Sequence, residues 1–189
     1  TGRFWGHASW SNMTEENRVE FREGLQRASD LGDGHASLDL GNFYAEGKGV
    51  KKDLPKAFAY YQLALRQGNP AAYWELAVLY QGGPGLPKIP QAERECYEKG
   101  AKADQSICMH QLGCLYRDGS GLPQDHALAM LWLQRAAAQG EGVSMHAIGR
   151  MYWTGHGVPK DEATAVIWFR RATLAGDAAR SLTFLGEAY

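Results

Sequence analysis

The chain has no run of apolar residues near the roughly 18 needed to cross a bilayer, so no membrane span is expected. It has no excess charge: 20 Lys and Arg stand against 21 Asp and Glu, a net of −1. That balance argues against nucleic acid as a partner, which calls for a basic face. Cysteine is scarce. Three residues at irregular spacing, Cys96, Cys108 and Cys114, make no disulfide framework. One bridge or three buried thiols both fit, and the redox compartment stays open. Catalytic signatures are missing as well. No GxSxG, HExxH or phosphate-loop motif is present, and no carboxylate pair stands out by spacing. We expect no enzyme activity, no cofactor and no metal.

Glycine and tryptophan are abundant, at 23 and 6 residues, and glycine explains itself by recurrence. Tyr44, Tyr80, Tyr116 and Tyr152 are each 36 residues apart. The glycine pairs 47/49, 83/85, 119/121 and 155/157 keep the same step, each followed by Val or Leu. Three residues before each tyrosine stands a small residue: Gly41, Ala77, Gly113 or Gly149. Beyond each loop, apolar residues three and four apart draw one helical stripe, as in Ala129, Trp132, Leu133 and Ala136. The stripe ends near Gly68, Asp104, Gly140 and Gly176, where a helix would stop. Each unit therefore reads as helix A, glycine loop, helix B, turn. About ten helices are expected, from a lone helix B at 17–33 through full units 34–68, 69–104, 105–140 and 141–176 to a lone helix A at 177–189. In the second unit Ile89 replaces the loop Asp, Glu93 the Ala and Cys96 the Trp, and its helix B is expected to start late, after Pro90.

The elements Leu112-Gly113-Cys114-Leu115-Tyr116, Gly155-His156-Gly157-Val158, Asp161, Ala129-Met130-Leu131-Trp132 and Arg135-Ala136-Ala137 resemble the Sel1-like repeat, a relative of the tetratricopeptide hairpin. The likeness covers roughly residues 21–189. It implies an all-α, right-handed α-α superhelix, a solenoid whose curved surface holds another protein. Relatives are adaptors in signalling and secretion, mostly bacterial and many exported, and some are immunity proteins that neutralise a secreted toxin. Some cysteine-rich relatives are linked to β-lactam binding, which leaves a hydrolase as the least favoured alternative. The first residue, Thr1 in place of Met, fits either a processed or a trimmed chain; export to the periplasm is the expectation, with the cytoplasm as alternative.

Recurrence separates structure from function. Positions alike in every copy serve the repeat, and positions that vary are free for a partner. On helix A the varying face carries Trp74, His110, Arg117, His146, Arg150 and Trp153. We take these six as a partner-binding groove, because Trp and Arg dominate protein interfaces. Competing readings put Trp153 over its own loop or on Arg117, and Trp74 in the core. His110 and His146 recur one unit apart without further ligands, and His156 reads as loop surface. Residues 1–16, with Phe4, Trp5 and Trp10, read as a cap over the first helix or a partner strap. Asn12-Met13-Thr14 is a formal glycosylation sequon, with Thr14 as a helix N-cap the simpler reading.

Overall fold

The computed structural model describes residues 14–82 and 86–177. The cap, the sequon asparagine, Gly83, Gly85 and the last half-repeat from residue 178 lie outside the described residues. Within them are nine α-helices in two compact units, which divide after Ile89. The first unit holds α1 (Glu15–Asp30), α2 (Gly34–Glu46), α3 (Leu54–Arg66) and α4 (Ala72–Tyr80). The second holds α5 (Pro90–Lys102), α6 (Ser106–Asp118), α7 (His126–Ala138), α8 (Gly142–Thr154) and α9 (Glu162–Leu174). Within each unit every helix packs on the next in sequence.

The repeat sets the helix ends. Thr14 caps α1, its hydroxyl accepting from the Asn17 amide at 3.3 Å. Asp53, Asp125 and Asp161 cap the B helices, each accepting from the amide three residues on. The amide of the same residue also donates to the preceding tyrosine's carbonyl, as in Asp161 to Tyr152 at 2.9 Å. Each loop is thus tied at both ends. The B helices end in a left-handed residue two positions past the last turn: Gly68, Asp104, Gly140 and Gly176, with φ between 63° and 97°. Asp104 is the one non-glycine residue in that region among the described residues.

The second repeat departs in a different place from the one expected. Its helix B starts at Pro90 itself, 36 residues after Leu54 and 36 before His126, so it is not late. Ile89 cannot cap with its side chain, yet its amide still reaches the Tyr80 carbonyl at 2.9 Å. Proline at the first helical position loses no hydrogen bond and presets φ. It is helix A that is cut: α4 has 9 residues where α2, α6 and α8 have 13. Pro70 and Ala71 open it with tighter turns, accepting from Tyr73 and Trp74. Gly82 then ends it in the left-handed region at φ 84°.

The small residues of helix A do what their recurrence suggested. A Cβ at Gly149 would stand 2.7 Å from the Phe169 ring, and one at Gly113 would stand 2.8 Å from Leu133. A Cβ at Gly41 would run into the Tyr61 ring. Glycine lets each A helix lie against the large residue at the centre of its own helix B. Tyr61, Leu133 and Phe169 are all essentially fully buried there.

Candidate functional site

The first unit has a cleft of about 740 Å³ along Tyr44 and residues 51–56, with Lys51, Lys52 and Lys56 on its walls. Two further clefts open at the loop ends of the hairpins, one inside each unit. Both are built from the same repeat positions, 72 residues apart. In the second unit α6 ends with Arg117 and Asp118, the following loop supplies Gln124, and α7 begins with His126. The last turns of α8 add Arg150, Met151 and Thr154, and His156 follows in the loop. They enclose about 380 Å³. In the first unit the matching positions are Ala45, Glu46, Lys52, Leu54, Val78, Leu79 and Gly82, and the cleft holds about 290 Å³.

The chemistry of the two is different. In the second cleft Arg117 donates to both oxygens of Asp118, at 2.7 and 2.9 Å. That fork holds the Asp118 carboxyl below the usual carboxylate range. Gln124 donates to the Arg117 carbonyl at 2.8 Å, fixing the loop to the end of α6. Arg150 is exposed. The Thr154 hydroxyl donates to the Arg150 carbonyl at 2.8 Å and lies 2.6 Å from His156 Nδ1. A hydroxyl has one proton, so here His156 Nδ1 must be the donor. In the first cleft Glu46 pairs with Lys48, while Glu75 is half-buried. Burial, with Glu46 adding to it, pushes the Glu75 carboxyl up. Tyr61 at the floor donates to Asn42 at 2.9 Å.

Of the six residues expected to form the groove, the structure brings Arg117 and Arg150 into one cleft. Trp74 is half-buried on α4 of the first unit. Trp153 is half-buried with its ring centroid 6.4 Å from Phe169, so it leans on helix B of its own repeat. His110 turns toward α8, with Nδ1 2.9 Å from the Ser144 hydroxyl and Nε2 3.6 Å from Cys114. His146, expected on the partner face, is buried instead. It is 9% exposed, its ring 5.3 Å from Phe169 and Nδ1 3.9 Å from Asp177. Facing inward, it packs the hairpin.

The residues missed from sequence are Gln124, His126 and Thr154, with His156 read only as surface. A signal existed: His126 stands where the other B helices begin with Leu54, Pro90 and Glu162. Residues that vary in the loop and at the start of helix B line this cleft together with those that vary along helix A.

The three cysteines are free thiols. Cys96 and Cys108 are buried, which pushes their thiols up to about 11 and about 12. Burial thus favours the neutral thiol at both positions. Among the described residues no group of three His, Cys, Asp or Glu could hold a metal, and no helix is long and apolar enough to cross a membrane.

Known proteins place this geometry. The chain is 32% identical to a Sel1 repeat protein from Oxalobacter formigenes, with a TM-score of 0.80, covering 90% of this chain and 75% of that one. It is 30% identical to a protective antigen of uropathogenic Escherichia coli with an SLR fold, TM-score 0.77, covering 84% of this chain and 34% of that one. An immunity protein from Pseudomonas aeruginosa, at 20% identity and TM-score 0.62 over 85% of this chain and 60% of that one, shares the fold alone. Among curated proteins, an ERAD-associated E3 ubiquitin-protein ligase component of Arabidopsis thaliana is 38% identical over 61 residues, 32% of this chain and 10% of that protein. This chain thus spans about a tenth of that relative's length. The Sel1 repeat model matches four times, at residues 34–69, 70–105, 106–141 and 142–177, and with the glycine-backed hairpins and tied loops seen here this means that the chain belongs to the Sel1 repeat family.

Proposed function

We propose that this chain acts as other Sel1 repeat proteins do, as a protein-interaction scaffold, and receives its partner on the A-helix side of the second unit. One observation carries the choice of face. The Arg150 guanidinium is exposed and hydrogen-bonded to no described residue, on a position that varies from repeat to repeat. Trp153, half-buried one turn away, offers an aromatic surface beside it. The test is co-purification with the product of the adjacent gene. If Arg150→Ala combined with Trp153→Ala leaves that complex intact, the face is wrongly assigned.

The finer reading is a bacterial immunity protein, exported to the periplasm, that blocks a secreted toxin or effector enzyme. The aromatic and basic make-up of the face motivates it. Co-expression with the adjacent gene product should restore growth and suppress its enzymatic activity, and cell fractionation should place the chain in the periplasm. A toxin fully active in the presence of excess chain would remove the reading. The alternative is an adaptor in a bacterial envelope or signalling complex; the Arabidopsis relative is itself named as a component of a ligase. A stable multi-protein complex without growth protection favours the adaptor.

A further inference from the structure

We propose that the cleft of the second unit is a carboxylate receptor, which anchors the partner by one acidic side chain. This deepens the protein-binding reading and rests on it.

The two clefts provide an internal control. Framework and repeat positions are shared, so whatever differs is not needed to build the fold. Where the first cleft has Ala45, Leu54 and Val78, the second has Arg117, His126 and Arg150. Three apolar positions have become three nitrogen-bearing ones. Arg117 is spent internally on Asp118. The others are not. Arg150 makes no side-chain hydrogen bond with a described residue, and His126 Nδ1 is buried without a hydrogen-bond partner. His156 donates its Nδ1–H to Thr154, so its Nε2 can donate to a carboxylate only when the ring is doubly protonated. A buried ring nitrogen left unmatched is unfavourable, and a turn of the ring that brings it to a bound partner group would relieve it.

The position of His126 is enforced. Gly157 lies in the left-handed region at φ 78°, and a Cβ there would run into the His126 side chain. Only glycine lets the loop close over this histidine. The missing partner should be an acceptor, since a guanidinium can only donate. A carboxylate takes two parallel bonds from one guanidinium and suits a cleft of about 380 Å³. Nucleic acid is disfavoured, because Asp118 offsets one of the two arginines and the whole chain is at −1.

The probe is a capped tetraglutamate peptide, titrated into the full ¹⁵N-labelled chain and followed by NMR at low salt. The Arg150 Nε–H signal and the His126 and His156 ring signals should shift together and saturate. Capped tetralysine should shift none of them. Arg150→Val installs the first cleft's residue on an exposed position and should weaken the peptide about tenfold or more while leaving the melting temperature in place. Gly157→Ala should weaken it too, by displacing His126. Shifts centred on the first cleft, an unchanged affinity in Arg150→Val, or equally tight binding of inorganic phosphate or an oligonucleotide would each overturn the proposal. The partner complex separates this idea from the one beneath it. If the complex is lost in Trp153→Ala but survives Arg150→Val, the face stands and the carboxylate anchor falls. If the complex survives the double substitution, which removes Arg150, the face and the anchor both fall, even where the peptide binds the cleft.

Discussion

The two units carry the same repeat and keep their helices together by different means. In the first, Ser29 and Ser37 share a hydrogen bond of 2.7 Å in the core, and Gln67 joins both, accepting from the Ser37 hydroxyl and donating to the Ser29 carbonyl at 2.8 Å. Asn69 donates to the Gly34 carbonyl at 3.1 Å. In the second unit the positions matching Ser29 and Ser37 are Ala101 with Met109, and Ala137 with Met145, all buried and apolar. The central residue of helix B changes likewise, from a hydrogen-bonded Tyr61 to Leu133 and Phe169. The clefts run the other way. The first is largely apolar with Glu46, Glu75 and Lys52, and the second holds two arginines, two histidines and Asp118. The lesson is that a repeat fixes backbone and leaves each buried pair free to be polar or apolar, provided that the pair changes together.

The sharpest way to break this comparison is at the glycines. Gly41→Ala drives a methyl into Tyr61, whose hydroxyl is anchored on Asn42, so the ring cannot easily swing aside. We expect a loss of about 3 kcal/mol in denaturant unfolding, and about 1–2 kcal/mol for Gly113→Ala, where flexible Leu133 can yield. Equal losses would show that the tyrosine anchor does not stiffen the first unit.

Next in size is the buried serine pair. Ser37→Ala strips both Ser29 and Gln67 of a partner and should cost about 1–2 kcal/mol. Ser29→Ala with Ser37→Met imports the second unit's pair and should recover part of that loss. A double variant worse than the single one would mean that the polar pair is not interchangeable. Ile89→Asp restores the cap that the other three repeats have and should raise stability by about 1 kcal/mol, read as a shift of the denaturation midpoint.

The smallest effect is electrostatic. The Glu75 carboxyl is pushed up by burial, so the folded chain holds its proton to higher pH than the unfolded one. Its ionised form opposes folding at neutral pH, and that opposition fades as pH falls through the raised value toward 4.5. Glu75→Gln should therefore melt higher than the wild type at pH 7, with the gap closing as the pH is lowered. Asp118 has the opposite sign. Its carboxyl is held down by Arg117, so its contribution is full above 3.8 and is lost as pH falls through the lower folded value. Melting curves of Glu75→Gln and Asp118→Asn across that range test both signs.

Much was readable from the residues alone. A period of 36 with no insertion fixed the number of hairpins, because glycine, aspartate and alanine recur wherever backbone geometry or close approach demands one residue type. Those demands are local: a left-handed φ, an unsatisfied helix amide, a helix face with no room for a Cβ. Local chemistry is written in sequence. Three things were decided only by packing. His146 faces Phe169 and Asp177 where an accessible contact was expected, because its helix face meets a large neighbour. The second repeat keeps its helix B in register, because the Tyr80 carbonyl still ties Ile89, and shortens its helix A, because Pro70 and Ala71 open it with tighter turns. And the cleft of Arg117, His126, Arg150 and His156 draws on the loop ends of two successive repeats, residues up to 39 positions apart. No periodicity on one helix could assemble it, since that meeting depends on how one hairpin lies against the next.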